Sequence, residues 1–158
     1  MRSRRMIPVT VAALVLAACW PVFRPPEVRL DGVRLGSIGL TGGTLTGYVV
    51  VDNPNAFALR TVAIGYNLEL NDPANNRWVP LAEGTLDREV SVPANDSAVV
   101  ELPLSFTYSG IGAAIRSILE SGTFEYRIAG DLRLTEPLRR QVPFRRTGTV
   151  SIIERGSR

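Results

Sequence analysis

An all-β fold, two packed antiparallel sheets of about seven strands with one short late helix, is predicted by three features of the sequence. Apolar residues recur mostly at every second position. Clusters of Asn, Asp, Pro and Gly punctuate the chain at short intervals. The period lengthens to that of a helix only once, over residues 111–119. The strongest single stretch is Leu45 to Arg60. There, stiff β-branched Val49, Val50 and Val51 run into the turn Asp52-Asn53-Pro54-Asn55, and Ala56 to Leu59 restores apolar character.

The elements follow in order. Val28 and Leu30 alternate with Arg29 and Asp31, and the path through Gly32, Val33 and Leu35 to the glycine-rich span ending at Gly43 suggests a bent or bulged strand. Leu45 to Val51 is the next strand. Val62, Ile64, Tyr66, Leu68 and Leu70 then share one parity, which predicts a half-buried strand facing the core through all five. Asn71 to Asn76 reads as a turn, with Val79, Leu81 and Gly84 in the returning partner and a short further strand around Leu86 to Val92. Pro93-Ala94-Asn95-Asp96 turns the chain into Val100, Leu102, Leu104, Phe106 and Tyr108. Pro103, pointing outward in this strand, hints at a sheet edge because it lacks a backbone donor.

Ile111, Ile115, Ile118 and Leu119 sit at i, i+4, i+7 and i+8, with Ser109 placed as an N-cap and Gly122 as a C-terminal glycine. A helix of about three turns is predicted, its aliphatic stripe over one end of the core. Phe124, Tyr126, Ile128, Leu132 and Leu134 form another strand face, interrupted at Gly130. After Pro137, Val142 and Phe144 open a last strand that Val150 to Ile152 extends.

The N-terminus carries a delivery signal. Arg2, Arg4 and Arg5 precede an apolar run from Met6 to Ala18, shorter than the roughly 20 residues of a comfortable transmembrane helix. The ending Leu16-Ala17-Ala18-Cys19 resembles the lipobox of bacterial lipoproteins. That resemblance implies cleavage before Cys19, diacylglycerol on its thiol and frequent acylation of the new amino group. A plain signal peptide or anchor helix is the alternative. Lipid chains contribute about 0.8 kcal/mol of membrane affinity per buried methylene, so two or three hold a protein firmly. Trp20-to-Pro26, with Pro21, Pro25 and Pro26, follows as an extended stalk. The expected organisation is a signal over residues 1–18, an anchored stalk over 19–26, one domain over 27–150 and a tail over 151–158.

Composition excludes several functions. The formal charge of +3 resides in the signal. All 15 acidic residues lie after Cys19, and three of the 18 basic residues lie before it. The mature chain is then near neutral and gives no reason to expect nucleic-acid binding. Histidine is absent, which removes the commonest general base and metal ligand, and one cysteine permits neither an internal disulfide nor a thiolate metal cluster. No hydrolase elbow, phosphate loop or calcium-loop pattern is present. No catalytic residue, metal or cofactor is expected. Arg139, Arg140, Arg145 and Arg146 cluster late in the chain. The plain reading is an exposed strand edge, the sharper one a contact with anionic headgroups.

The strand and turn Val49 to Asn55, Phe57 to Leu59, the strand Ile64 to Leu68, the return at Gly84 and Val92-Pro93-Ala94-Asn95 before Val99 to Leu104 together resemble the late embryogenesis abundant type 2 domain. It is also called the water-stress and hypersensitive-response domain. The similarity spans about Pro26 to Phe144. It implies a compact immunoglobulin or fibronectin-type-III-like sandwich of seven strands plus a helix, a noncatalytic role tied to stress or desiccation, and, in bacteria, export as lipoproteins. Asn53, Pro54 and Asn55 match the family's signature turn, where strand-end hydrogen bonding is a plainer role than ligand binding.

The expected function is therefore that of an envelope lipoprotein with a protective or structural role, its membrane partner reached through lipid on Cys19. The alternative is a binding or chaperone-like module for a lipid, peptide or envelope protein, using a sheet edge or a surface around Ile111, Ile115 and Leu119. Trp20 stands where, by resemblance, an aspartate commonly retains lipoproteins in the inner membrane. The outer membrane, with the domain facing the periplasm, is expected if the host has two membranes.

Overall fold

The protein, represented by a computed structural model, is described over residues 22–73, 75–108 and 122–152. Cys19, the expected signal, and the expected helix with Ile111, Ile115 and Leu119 lie outside the described residues. Eight strands are formed among them: β1 (Glu27–Ile38), β2 (Gly42–Asn53), β3 (Leu59–Asp72), β4 (Arg77–Leu86), β5 (Val90–Val92), β6 (Asp96–Thr107), β7 (Thr123–Glu136) and β8 (Arg140–Ser151). One sheet has the order β1-β2-β6. The other runs β4-β3-β7-β8, with β5 also on β3. All of these pairings are antiparallel.

The sandwich forms because each strand has an inner row of aliphatic side chains. Val28, Leu30 and Val33 of β1, Val49 and Val51 of β2, and Val100, Leu102 and Leu104 of β6 face Ile64, Leu68 and Leu70 of β3 and Ile128, Leu132 and Leu134 of β7. All are buried in a single cluster. The parity of β1 changes at a bulge between Leu30 and Gly32, which keeps both Leu30 and Val33 inward.

The reading of β3 requires one correction. Val62 does not join the inner face. The β3–β7 register shifts between Arg60 and Ala63, so Thr61 and Ala63 are buried and Val62 turns outward, 37% exposed. The Thr61 hydroxyl donates to the carbonyl of Ala63 at 2.8 Å, which satisfies a polar group inside the irregularity. Gly130, by contrast, lies in continuous register with Tyr66 and Phe144. A Cβ there would stand 1.9 Å from the carbonyl oxygen of Gly65, so the glycine permits a close approach of β7 to β3.

Two tyrosines of the larger sheet reach through the core to the smaller one. Tyr66 Oη donates to the carbonyl of Pro103 on β6 at 2.7 Å. Tyr126 Oη accepts the amide of Leu30, beside the β1 bulge, at 3.0 Å. A buried phenol needs such a partner. Each bond pins an edge strand of the three-stranded sheet to an inner strand of the other. Pro103 lies on that edge, as its missing donor suggests.

Most strand ends among the described residues fall into two groups. The stalk, the β2–β3 turn, the β5–β6 turn and the β7–β8 turn share one end, called here the stalk end. The β1–β2 and β3–β4 connections, the end of β6 and the start of β7 share the other.

Candidate functional site: an asparagine clasp at the stalk end

The turn after β2 gathers the stalk end around two side chains. Asn53 ends β2, Pro54 is exposed at the tip, and Asn55 turns back inward. Asn53 and Asn55 are 2% and 3% exposed. Pro54 cannot continue the ladder, and an asparagine before it is free to form an Asx-type turn. Asn53 Oδ1 does so, accepting the Asn55 amide at 3.1 Å and Asn55 Nδ2 at 2.9 Å.

The two protons of Asn53 Nδ2 go to the carbonyls of Phe57 and Pro93, both at 2.8 Å. This one amide therefore joins its own turn to the turn between β5 and β6. It uses both donors and both acceptor positions, the condition for burying such a group without loss. Asn55 extends the network in two directions. Its backbone carbonyl accepts the Asn95 amide at 2.9 Å. Its side chain pairs with the backbone of Arg24: Arg24 N donates to Oδ1 and Nδ2 donates to the Arg24 carbonyl, each at 2.8 Å. Exchanging the amide oxygen and nitrogen would set donor against donor, so the orientation is fixed by its partners.

The consequence is a clasp. Asn55 offers the stalk the same pair of bonds that a neighbouring strand would. Phe23 packs against the core cluster, its ring under the Arg140 guanidinium at 5.4 Å, and Pro26 is buried. The direction in which the chain leaves toward residue 21 is set by the domain.

Charge is divided around this end. On one side a shallow groove of about 460 Å³ is bordered by Glu27, Asp52 and Asp96 with the asparagine turn. On the other, between β1 and β8, a groove of about 220 Å³ is bordered by Pro26, Val28, Pro143, Phe144, Arg145 and Arg146, and Glu27 borders both grooves. β1 and β8 meet in a parallel bridge between Val33 and Ile152 farther along, so their seam is closed there and open toward the stalk. Arg60 stands between Glu89 and Glu136 at 3.5 and 3.3 Å, tying the start of β3 to its neighbours.

At the far end, the Asp72 carboxylate is 2% exposed. Its Oδ2 accepts Asn75 Nδ2 at 2.8 Å and lies 3.4 Å from Arg77 Nε. The bond from the Asn75 side chain, with smaller help from Arg77, outweighs burial and holds this carboxyl below its ordinary range. Burial raises the Tyr66 phenol. Among the described residues no three His, Cys, Asp or Glu side chains gather as a metal-binding group.

Asn53, Pro54 and Asn55 were legible from the sequence as a turn. Their reach to Arg24 and Pro93 was not, because backbone partners leave no side-chain signal. The pinning tyrosines did carry one: a phenol on an otherwise aliphatic inner face calls for a partner.

The described residues thus form an antiparallel two-sheet sandwich whose asparagine turn is hydrogen-bonded to two neighbouring segments. Residues 48–148 match the family model LEA_2, late embryogenesis abundant protein. The chain belongs to that family, whose members are generally non-enzymatic. Its fold is similar to that of AT1g01470 from Arabidopsis thaliana, solved in solution, with 17% identity, 83% of this chain and 84% of that chain covered, and a TM-score of 0.62. More distant likenesses are a putative late embryogenesis abundant protein, At2g46140.1, at 19% identity, covering 80% and 71% of the two chains with a TM-score of 0.48, and a protein from Archaeoglobus fulgidus at 14%, covering 83% and 99% with a TM-score of 0.46. No curated protein matches the sequence significantly.

Proposed function

We propose that this chain is a noncatalytic envelope lipoprotein that holds a rigid late embryogenesis abundant domain close to a membrane, with a protective or structural role under stress or desiccation. Cys19 carries the lipid, and the outer membrane facing the periplasm is the expected location where the host has two membranes. The observation that carries this reading is the clasp between Asn55 and Arg24. Two backbone bonds, a buried proline and a stacked phenylalanine hold a stalk that begins beyond an apolar, lipobox-like segment. A domain that orders its own stalk transmits the position of an anchor to its surface. The aliphatic cluster buried between the sheets favours action through that surface over enclosure of a ligand.

In-cell crosslinking of the full protein followed by mass spectrometry, with and without drying or osmotic stress, tests the role. Many weak contacts that increase under stress are expected. One saturable partner, unchanged by stress and mapped to a single surface, would replace this function with that of a dedicated binding module.

A further inference from the structure

The near-neutral mature chain conceals a separation of charge at the stalk end. Arg24, Arg139, Arg140, Arg145 and Arg146 lie on the stalk, the β7–β8 turn and β8, all exposed. Arg146 reaches Glu27 only at 4.0 Å, Arg140 is engaged with the Phe23 ring, and Glu136 is turned to Arg60. Arg24, Arg139 and Arg145 have no acidic partner within ion-pair distance among the described residues. The other side of the same end presents Asp96 and Asp52, the latter 3.6 Å from Arg29, while Glu27 borders both sides.

We infer that the β8 edge is a docking surface for anionic lipid headgroups, so that the anchored domain leans on the bilayer with β8 inward and the acidic groove outward. The inference rests on the anchoring of Cys19. Val22 is three residues beyond that cysteine, a reach of at most about 11 Å, and the Phe23 ring under the Arg140 guanidinium holds the stalk beside the start of β8. Each basic residue that comes within a screening length of the headgroups, about 8 Å, strengthens attraction roughly five-fold. The same field repels Asp52 and Asp96, which favours one tilt. Successive residues of a strand point to opposite faces, so Arg145 and Arg146 straddle the edge and both approach a surface met edge-on.

The test uses the anchored protein in vesicles. Cys19 is the one cysteine of the chain, and lipid blocks its thiol in the anchored form. Leu138→Cys, beside Arg139, and Val99→Cys, on the outer face of the smaller sheet, each give a single labelling position, 49% and 63% exposed in the native residue. A fluorophore at each is read against a headgroup quencher in phosphatidylglycerol–phosphatidylethanolamine vesicles and in phosphatidylcholine vesicles. Several-fold stronger quenching at 138 than at 99 is expected on the anionic vesicles only, and it collapses in high salt. It also collapses in Arg139→Gln/Arg145→Gln/Arg146→Gln, whose folding is checked by circular dichroism. Equal quenching at both positions on anionic vesicles, or a difference indifferent to salt, overturns the docking surface while leaving the anchor intact. Intact mass of the same sample reports the anchor separately, and a protein without lipid removes both.

Discussion

Asn53 and Asn55 divide the work of the signature turn, and their substitution should separate the two parts. Asn53→Ala leaves the half-buried carbonyls of Phe57 and Pro93 and the buried Asn55 amide without this partner, and a loss of about 2–3 kcal/mol is expected in urea unfolding. Asn55→Ala removes two bonds to the half-exposed backbone of Arg24, which water replaces in part, so about 1–2 kcal/mol is expected. Its sharper signature is kinetic: proteases should cut the stalk around Pro21 to Pro26 several-fold faster, with the rest of the domain intact. Equal stalk cleavage in the two proteins would contradict the clasp.

Across elements, the sandwich depends on how closely β7 approaches β3 and on the two tyrosine pins. Gly130→Ala sets a Cβ against the Gly65 carbonyl, and the backbone must part to admit it. A loss of about 2–4 kcal/mol is expected, much more than an ordinary strand glycine would show. Tyr66→Phe and Tyr126→Phe remove one inter-sheet bond each, about 1 kcal/mol apiece. The two pins hold opposite edges of the smaller sheet and share no partner, so the double variant should lose their sum; a calorimetric series measures all three. Strand existence was legible in the sequence because Ile64 to Leu70 and Phe124 to Leu134 keep a strict period of two. Val62 was misread because an irregularity between Arg60 and Ala63 reverses parity, and periodicity carried backward from Ile64 cannot register it. The candidate turn was equally plain in Asn-Pro-Asn, while its role was hidden in contacts 31 and 40 residues away.

Over the whole molecule, composition sets the response to pH. The chain has no histidine, and its only basic side chains are arginines. Stability should be flat between about pH 6 and 9. Asp72, whose carboxyl is lowered in the fold, contributes stability present above its ordinary value of 3.8 and lost as pH falls through the lower folded value. Asp72→Asn should flatten the acid limb. Tyr66, raised in the fold, contributes stability that is complete below its ordinary value of 10.0 and lost as pH rises toward and through the folded value. Tyr66→Phe should flatten the alkaline limb, and thermal unfolding followed across pH checks both.

The architecture joins a clasped stalk to a charge-divided end, and the function proposed above gives both a purpose through an anchor at Cys19. Intact mass spectrometry of the protein extracted from membranes tests that claim most directly. The expected species begins at Cys19 and carries diacylglycerol on its thiol, and Cys19→Ala abolishes it. A chain with unmodified Cys19 still joined to residues 1–18 would contradict the anchored account.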